Sequence, residues 1–397
     1  MKIALIRKDY FLSRGGGERY AVNLSEGLAK LGNEVHVFAN TWDKPSDHGF
    51  AIHKVRTLTI SSSLKNLSFA YNCRKLLARE NFDIVHSLSQ TFSQDVYRMG
   101  DGLHRHWLKI QTPNFFYRFL KTLTLRQQVI LFLEKKTFHP SNYRMIICNS
   151  QLCKRQAVSY FKVPEEKIRV IYNGVDHAQF HPGLKDSYNK KIRKRLHIPE
   201  EAVVILFIAR NFKRKGLQYL IQSLPLIRRG KEPITVLVVG RGNPFPFRRI
   251  AQQIGLGEQL LFVEETDNIF HYYGVGDIVV LPTLYDPFSN VCLEALACGI
   301  PVITTRENGA SEIIHPGETG VVISAPPNCV ELAASISSFL PHKVRDLVRK
   351  KAPQSVQNFT LEENTLKTFE AYKEVLGMNK DKGRFSGMGQ EICKNSY

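Results

Sequence analysis

The feature that most constrains this chain is an alternation of short apolar runs with helical stretches, and the alternation occurs twice. In the first half, residues 3–7 and 35–39 have the apolar, β-rich character of buried strands, and the stretch between them, 18–31, has helical spacing. Further short strands are predicted at 83–87, 95–99 and 144–149. This order is typical of a parallel sheet that helices cover on both faces.

The same alternation restarts after a basic, weakly apolar stretch at 183–195. The sequence predicts buried strands at 202–209 and 234–240, then at 260–263, 277–281, 301–304 and 320–323. A length of 397 residues suits two domains. We therefore predict two doubly wound α/β domains, 1–180 and 181–360, then a helix at 361–376 that crosses back to the first domain. The remaining residues, 377–397, have few apolar side chains and are predicted to be disordered.

Charge and cysteine content limit the partners and the compartment. The formal net charge of +19 favours anionic partners such as nucleic acid, an anionic membrane or a charged substrate. No apolar run reaches the ~18 residues that a membrane span needs, and the apolar start is too short for a signal peptide. Seven cysteines without a C-x-x-C pair indicate neither a zinc site nor a disulfide framework. We expect a cytoplasmic protein.

A glycine-rich segment follows the first predicted strand. Gly15, Gly16 and Gly17 let the backbone approach a ligand closely, and the helix that follows offers its N-terminal N–H groups. Doubly wound domains bind ligands beyond the carboxyl ends of their strands, which is where this segment lies. The segment lacks the G-x-G-x-x-G spacing, so a nicotinamide cofactor is not indicated. A plain glycine-rich turn remains the alternative.

A basic loop follows the first strand of the second half. Arg210 and Lys215 bracket this loop, and two fixed cations there can neutralise a diphosphate leaving group. A solvated basic loop is the alternative interpretation.

A third segment, 285–299, follows the predicted strand 277–281. A helix is predicted to start near Ser289, so the N–H groups of Ser289, Asn290 and Val291 would face an anion. Glu294, one to two turns further on, can accept both hydroxyl groups of a ribose. Asp286 precedes the helix, where it can contact a sugar. An ordinary capped helix with an apolar face is the alternative.

Taken in order, these segments resemble the motifs of glycosyltransferase family 4. Segment 286–294 is similar to the E-x7-E signature, with Asp286 in place of the first Glu and Glu294 as the second. Segments 15–19, 172–176, 296–303 and 308–314 are similar to other family motifs, and Arg210 with Lys215 resembles the pair that binds the diphosphate. The matches extend over residues 3 to 376.

The resemblance implies a GT-B fold, in which two Rossmann-like domains face a central cleft. It implies a retaining hexosyltransferase that needs no metal or other cofactor, with the nucleotide-sugar donor in the C-terminal domain and the acceptor in the N-terminal one. UDP-glucose or a similar sugar is the expected donor. The donor site would include Gly16, Gly17 and the residues of segments 210–215 and 286–294 named above. Arg210 and Lys215 would replace the divalent ion, and the shorter Asp286 would bind sugar.

The family often places a His or an Asp at a strand end near the reacting carbon. Asp101 and His104 are the catalytic candidates here, because they follow the predicted strand 95–99. A non-catalytic loop is the alternative. For His86, at another strand end, a buried histidine is the preferred interpretation over one that lines the cleft.

Residues 104–136 combine several aromatic residues with many basic residues and a single acidic residue, Glu134. Such a segment suits either an anionic membrane interface or a packed helix with a solvated basic face. Within the family the chain most resembles the lipopolysaccharide core glycosyltransferases, which implies an anionic glycolipid acceptor at the inner face of the cell membrane. No nucleic acid partner is expected, because no RNA-binding motif accompanies this segment.

Two alternatives stay open at this point. One is a GT-B enzyme of another kind, an epimerase of sugar nucleotides or a transferase with a soluble acceptor. The other is a non-catalytic basic protein that binds membranes or RNA.

Overall fold

The computed structural model describes residues 1–12, 15–43, 50–227 and 232–391, with side chains described as far as Gly377. The chain divides into two compact units. Unit 1 comprises residues 1–149, 153–171 and 361–397, and unit 2 comprises residues 150–152 and 172–360. The domain boundaries predicted from the sequence lie between residues 180 and 181 and between residues 360 and 361.

Unit 1 is built on a parallel sheet of seven strands in the order β5-β3-β1-β6-β7-β8-β9. Strands β2 and β4 form a separate two-stranded parallel sheet. The strands of this unit are β1 (Lys2–Ile6), β2 (Asp9–Tyr10), β3 (Glu34–Ala39), β4 (Thr41–Trp42), β5 (Ala51–Lys54), β6 (Ile84–Ser87), β7 (Val96–Met99), β8 (Met145–Cys148) and β9 (Ile168–Val170).

The helices of unit 1 cover both faces of this sheet. They are α1 (Gly16–Lys30), α2 (Ser62–Leu77), α3 (His104–Gln111), α4 (Phe115–Thr122), α5 (Leu125–Thr137), α6 (Gln151–Phe161) and the last helix of the chain, α14 (Leu361–Glu391). Helix α1 buries Tyr20, Leu24 and Leu28, the stripe that the sequence spacing predicted. Tyr372 and Val375 of α14 are buried in the same apolar cluster, so helix α14 completes the core of unit 1.

Helix α14 extends to Glu391, past the helix end at 376 that the sequence predicted. The disorder predicted from 377 onward rested on the small number of apolar side chains there, and it stays a prediction. A helix can continue past its apolar stripe because its backbone hydrogen bonds are made within the helix itself. Residues 392–397 of the predicted tail lie outside the described residues.

Unit 2 contains a parallel sheet of six strands in the order β12-β11-β10-β13-β14-β15. Its strands are β10 (Val203–Ala209), β11 (Ile234–Gly240), β12 (Leu260–Glu264), β13 (Ile278–Leu281), β14 (Val302–Thr305) and β15 (Gly320–Ile323). Its helices are α7 (Leu184–Leu196), α8 (Leu217–Ser223), α9 (Phe245–Gln253), α10 (Phe270–Tyr273), α11 (Asn290–Ala297), α12 (Cys329–Ser338) and α13 (His342–Ser355). The basic stretch near 183–195 is helix α7, which buries Leu184 and Ile192.

The strand order of each unit reverses direction once, and these reversal points position the candidate sites. In unit 2 the chain moves outward from β10 to β12 on one side and from β13 to β15 on the other, so the reversal lies between β10 and β13. In unit 1 the corresponding point lies between β1 and β6. Open α/β sheets bind ligands at such points, beyond the carboxyl ends of the strands.

The central strands hold the sheets in place by burying apolar side chains on both faces. All seven residues of β10 are buried, as are the first six of β11. Burying a large apolar side chain stabilises a fold by about 1.5–3 kcal/mol, so these two strands anchor unit 2. No helix among the described residues has the length and apolar character that crossing a bilayer requires.

Candidate active site

In unit 2, two loops meet at the reversal point of the sheet. The loop after β10 and the loop after β13 are tied together by Arg214, whose Nε donates to the carbonyl of Tyr285 at 2.9 Å. The carbonyl of Arg214 in turn accepts from the N–H of Leu284 at 2.9 Å and from Oγ1 of Thr283 at 3.1 Å. Gly216 ends the first loop at φ +83°. The basic loop is therefore a fixed part of unit 2.

Lys215 and Asp286 form an ion pair at this junction. The side chain of Asp286 is 10% exposed and that of Lys215 is 19% exposed, so the pair is largely withdrawn from water. Burial, together with the nearby Arg214 guanidinium, lowers the pKa of the Lys215 ammonium to about 7. The sequence predicted both residues for the donor site but did not predict that they pair.

Arg210 lies at the end of β10 and pairs with Glu265, which follows β12. Its side chain is 40% exposed, in contrast to the more enclosed Lys215. The two cations of the predicted diphosphate site therefore have different carboxylate partners.

At the N-terminus of α11, the structure differs from one prediction. The N–H of Ser289 was expected to face an anion, but it donates to Oδ1 of Asn308 at 3.1 Å. Asn308 is buried and also accepts from the N–H of Ala310, so it caps two turns at once. Of the three N–H groups predicted to face an anion, those of Asn290 and Val291 are the first two of the helix, which a helix does not satisfy within itself.

Glu294 lies in the second turn of α11 and is buried. Its Oε2 accepts from the hydroxyl of Tyr273 at 2.6 Å, and the ring of Tyr273 packs edge-on against Phe180 at 5.4 Å. Burial raises the pKa of the Tyr273 hydroxyl, and the adjacent Glu294 carboxylate raises it further, so tyrosine remains the proton donor. The sequence did not predict Tyr273 as a partner of this site.

In unit 1, a polar pocket lies at the reversal point of the sheet. Its volume is about 220 Å³, and its lining comes from the ends of β1, β6 and β7 and from helices α1, α2 and α5: Arg7, Lys8, Asp9, Glu18, Asn66, Phe69, Ser89, Gln90, Asp101 and Leu133. The catalytic candidate Asp101 is in this lining. Arg7, which the sequence did not single out, contacts the carboxylates of both Asp101 and Glu18 at 3.0 Å.

The two predicted glycines begin helix α1 beside this pocket. Gly16 is exposed at the first position of the helix. A Cβ on Gly17 would lie 2.6 Å from Nη2 of Arg7 and 3.2 Å from Oδ1 of Asp101, so a side chain there would displace this pair. Ser13 and Arg14, which precede these glycines in the chain, lie outside the described residues. The donor-binding set predicted from sequence is thus divided, with Gly16 and Gly17 in unit 1 and the rest in unit 2.

His104, the second catalytic candidate, has a different environment from Asp101. It begins helix α3, and its imidazole Nε2 contacts Oε1 of Gln127 in α5. Its N–H donates to the buried Glu134 at 2.7 Å, so Glu134 caps the helix. Burial raises the pKa of Glu134 to about 7, although the N–H groups of His104 and Arg105 act in the opposite direction. His104 does not line the polar pocket described for unit 1.

His86 is a buried histidine, as preferred from the sequence. It is 0% exposed, and its Nδ1 lies 2.5 Å from the hydroxyl of Tyr372 in α14. Burial, assisted by the charge of Arg98, lowers the pKa of His86 to about 3, so the imidazole is neutral. It therefore joins α14 to the sheet of unit 1.

Among the described residues, no group of three or more His, Cys, Asp or Glu side chains is placed to hold a metal ion. The loop after β10 carries Arg210 and Lys215, the two cationic side chains that the sequence predicted for a diphosphate.

Family comparison supports the resemblance over most of the chain. Residues 14–179 match the model described as Glycosyltransferase Family 4, and residues 189–354 match the model described as Glycosyl transferases group 1.

Among known proteins, the chain is 25% identical to an uncharacterized glycosyltransferase of Methanocaldococcus jannaschii, covering 95% of this chain and 99% of that protein. It is 23% identical to the lipopolysaccharide glucosyltransferase WaaG of Escherichia coli K12, covering 92% and 93%. The solved structure of WaaG superposes with a TM-score of 0.80 at 20% identity, covering 92% of this chain and 98% of that one.

A third comparison is with Anabaena HepE in complex with UDP-glucose. Its TM-score is 0.71 at 18% identity, over 94% of this chain and 100% of that one. The likeness to these solved structures concerns the fold.

Proposed function

Because the chain belongs to glycosyltransferase family 4, has the GT-B fold and is related to lipopolysaccharide glycosyltransferases, we propose that it transfers a hexose from a nucleoside-diphosphate sugar to a glycan or glycolipid acceptor. We further propose retention of the anomeric configuration and no requirement for a metal ion. UDP-glucose is the first donor to test. The observation that carries the proposal is the Lys215–Asp286 pair at the reversal point of unit 2, next to the start of α11.

In the proposed donor site, unit 2 holds both ends of the nucleotide sugar. Lys215 and Arg210 balance the diphosphate charge, and the N–H groups of Asn290 and Val291 donate to its oxygens. Glu294, held by Tyr273, accepts the ribose hydroxyls. When Lys215 turns to the phosphate, Asp286 is released to accept a hydroxyl of the donor sugar. The ion pair therefore keeps two ligand-binding groups in place before the donor arrives.

The proposed transfer involves only two reactants, the acceptor and the nucleotide-sugar donor. The acceptor oxygen forms a bond to the anomeric carbon on the face from which the diphosphate departs, and the bond from that carbon to the diphosphate oxygen breaks. The diphosphate leaves with the electron pair, and the hydroxyl proton passes to it. Lys215 and Arg210 stabilise the negative charge that develops on the leaving group, which is where such electrostatic help acts most strongly.

Thermal stability with a panel of UDP-, GDP- and ADP-sugars in EDTA tests the donor site. A ligand at 100 times its Kd stabilises a protein by about 2.7 kcal/mol, which corresponds to about 5–10 °C in Tm for a unit of this size. We expect such a shift with one nucleotide class and its loss in Lys215→Ala and Glu294→Ala. Lys213→Ala is the matched control, because Lys213 is exposed in the same loop.

Turnover then tests the reaction. Release of nucleoside diphosphate in EDTA, and an NMR assignment of the new linkage, would support metal independence and retention. The absence of a shift with every nucleotide sugar would refute the donor assignment. Activity that appears only after a divalent ion is added would refute the proposed replacement of the ion by Arg210 and Lys215.

We propose that helix α4 rests on an anionic bilayer, at the cytoplasmic face of the cell membrane, where a glycolipid acceptor resides. None of its residues is buried. Phe115, Phe116, Phe119 and Leu120 lie on one face at spacings i, i+1, i+4 and i+5, and they are 45–75% exposed. Arg118 and Lys121 belong to the same helix. An apolar face beside basic side chains is the pattern of helices that lie in an anionic membrane interface.

Co-sedimentation with phosphatidylglycerol-containing vesicles tests this surface. We expect the double variant Phe116→Ser, Phe119→Ser to lose binding. Phe245→Ser is the matched control, because Phe245 is 80% exposed but lies in unit 2. Binding that is equal in all three proteins, or binding to RNA that the double variant abolishes in the same way, would contradict the membrane assignment.

A further inference from the structure

Arg7 is the most enclosed charged residue of the polar pocket in unit 1. It follows β1 directly and is 9% exposed. Its Nη1 donates to the carbonyl of Leu88 at 2.8 Å and to Oδ2 of Asp101 at 3.0 Å, while its Nη2 donates to Oε1 of Glu18 at 3.0 Å. One guanidinium thus joins the ends of β1, β6 and β7 to the first turn of α1.

Two neighbouring carboxylates keep the buried Arg7 guanidinium charged. Burial opposes the charge of Arg7, but the carboxylates of Asp101 and Glu18 outweigh it and raise the pKa of the guanidinium. A buried ion pair is costly to break, because removing one partner leaves the other charge uncompensated. The buried guanidinium gives the Asp101 carboxylate a fixed hydrogen-bond donor, although the Asp101 side chain itself is 65% exposed.

The rest of the lining has the chemistry of a binding site for a polyhydroxyl ligand. Carboxylates, amides and a hydroxyl surround the space, namely those of Asp9, Glu18, Asn66, Ser89, Gln90 and Asp101. These groups accept and donate the directional hydrogen bonds that sugar hydroxyls make. The pocket also lies at the reversal point of its sheet, where α/β domains bind ligands.

We propose that Arg7 is a positioning residue, which holds the Asp101 carboxylate so that it accepts a hydrogen bond from a neighbouring hydroxyl of the acceptor sugar and thereby orients the attacking hydroxyl. This inference rests on the proposed function, since it concerns the acceptor side of the same reaction. A fork-shaped guanidinium is required because its two terminal nitrogens serve separate carboxylates, which a lysine ammonium cannot do in a fixed geometry. Gly17 is required for the same arrangement, because a side chain at this position would clash with the Arg7 guanidinium.

A double-mutant cycle tests whether Arg7 acts through Asp101. The assay is release of UDP from UDP-glucose, with and without core-truncated lipopolysaccharide as the acceptor. We expect Asp101→Asn to lower the acceptor-dependent kcat about 100-fold, because the attacking hydroxyl is no longer held in a productive orientation. Arg7→Gln should lower it at least tenfold, and the double variant should be no slower than Asp101→Asn alone. Non-additivity of this kind is expected of residues that act as a unit.

The controls separate positioning from folding and from the donor site. Arg169→Gln also removes an arginine from an ion pair in unit 1, with Glu374 at 2.7 Å, and should keep wild-type turnover. Donor-dependent thermal shifts should persist in the Arg7 and Asp101 variants, because neither residue belongs to unit 2. Arg7→Lys keeps a cation but loses the fork, so it should fold and still lose kcat with little change in acceptor KM.

The outcomes distinguish this inference from the function on which it rests. If the wild type shows donor shifts and transfer, then additive losses in the double variant, or full activity of Arg7→Lys and Arg7→Gln, would overturn the role of Arg7. A wild-type chain with neither a donor shift nor transfer would overturn the proposed function, and the inference with it.

Discussion

Tyr273 shows how a single residue outside a motif sets the geometry of a residue within it. Its hydroxyl donates to Glu294 from helix α10, whereas Glu294 belongs to α11. The two residues are 21 positions apart in the chain, and a tyrosine in an apolar context gives no sign from sequence of which carboxylate it will contact. The same is true of Arg7 and Asp101, which are 94 positions apart.

The first prediction concerns this tyrosine. Tyr273→Phe removes a hydrogen bond to a charged acceptor, a contact typically worth about 1.5–3 kcal/mol, and relaxes the orientation of Glu294. We expect about tenfold weaker donor binding, with a smaller change in kcat, measured by titration with the preferred nucleotide sugar. Tyr272→Phe is the control, because the neighbouring Tyr272 hydroxyl accepts from Arg195 instead. Equal donor affinity in the wild type and Tyr273→Phe would show that Tyr273 does not orient Glu294.

His86 leads to a pH prediction at the same scale. Its pKa is about 3 in the folded protein and about 6.5 when unfolded, so below pH 6.5 the unfolded chain takes up the proton more readily. Stability is therefore lost as the pH falls from 6.5 towards 3, by about 2 kcal/mol at pH 5. His86→Asn can keep a polar atom near Tyr372 without this titration.

Urea unfolding at pH 7 and pH 5 measures the effect. The loss of stability between the two pH values should be about 2 kcal/mol smaller in His86→Asn than in the wild type. Comparison with the wild type cancels other groups, such as Glu134, whose raised pKa contributes with the opposite sign. His106→Asn, which removes a contact with Tyr160 at a partly exposed histidine, controls for the loss of a His–Tyr contact as such. An unchanged pH dependence in His86→Asn would exclude this role.

At the scale of elements, the sequence was most informative where apolar runs are continuous. The predicted strands 234–240 and 320–323 coincide with β11 and β15, and the helix predicted at 18–31 is α1, Gly16–Lys30. Strands β5 and β9 were not predicted, because they are short edge strands that carry polar side chains such as His53 and Arg169. Neither has the continuous apolar run that identifies a buried strand.

The candidate site was predictable as a set of loops but not as a set of contacts. Strand ends and family motifs indicated Lys215, Asp286 and Glu294. The pairing of the first two, and the capping of Ser289 by Asn308, depend on how two loops pack. Loop packing follows from the complete fold, so local spacing gives no information about it.

Gly216 gives the prediction that belongs to these loops. It has φ +83°, and a Cβ there would lie 1.9 Å from the carbonyl oxygen of Pro282. Gly216→Ala must therefore push apart the two loops that bring Lys215 to Asp286. We expect a loss of stability of several kcal/mol, well beyond the ~1 kcal/mol typical of a left-handed residue, together with loss of the donor-dependent Tm shift.

Gly255→Ala is the matched control for that experiment. Gly255 has φ +71°, but no atom lies within 4 Å of the point that its Cβ would occupy, so alanine there meets only the cost of its backbone conformation. Chemical unfolding of both variants separates that cost from the steric one. Equal destabilisation of the two variants would mean that the loops after β10 and β13 can move apart at little cost. The Lys215–Asp286 pair would then not depend on the close approach of these loops.

At the scale of the whole molecule, the first strand β1 and helix α14 both belong to unit 1, although they lie at opposite ends of the described chain. Ala371, Tyr372 and Val375 of α14 are 0–2% exposed in the cluster that also contains Leu24 and Leu28 of α1. Arg144 donates to the carbonyl of Val375, and Arg169 pairs with Glu374, so polar contacts support the same helix. The sequence predicted that the helix returns to the first domain, and its packing makes it part of that core.

Truncation tests this dependence of unit 1 on the end of the chain. Burial of Tyr372 and Val375 contributes about 3–6 kcal/mol, a large part of the 5–15 kcal/mol by which domains are typically stable. A chain ending at residue 360 should therefore have a much lower urea midpoint. A chain ending at residue 377 keeps all the residues of α14 whose burial the structure describes and should match the full chain. Trp42 and Trp107 both lie in unit 1, so tryptophan fluorescence follows this unit alone. Equal midpoints for all three chains would mean that α14 does not stabilise unit 1, whereas a loss in the chain ending at 377 would mean that the polar continuation of the helix carries stability of its own.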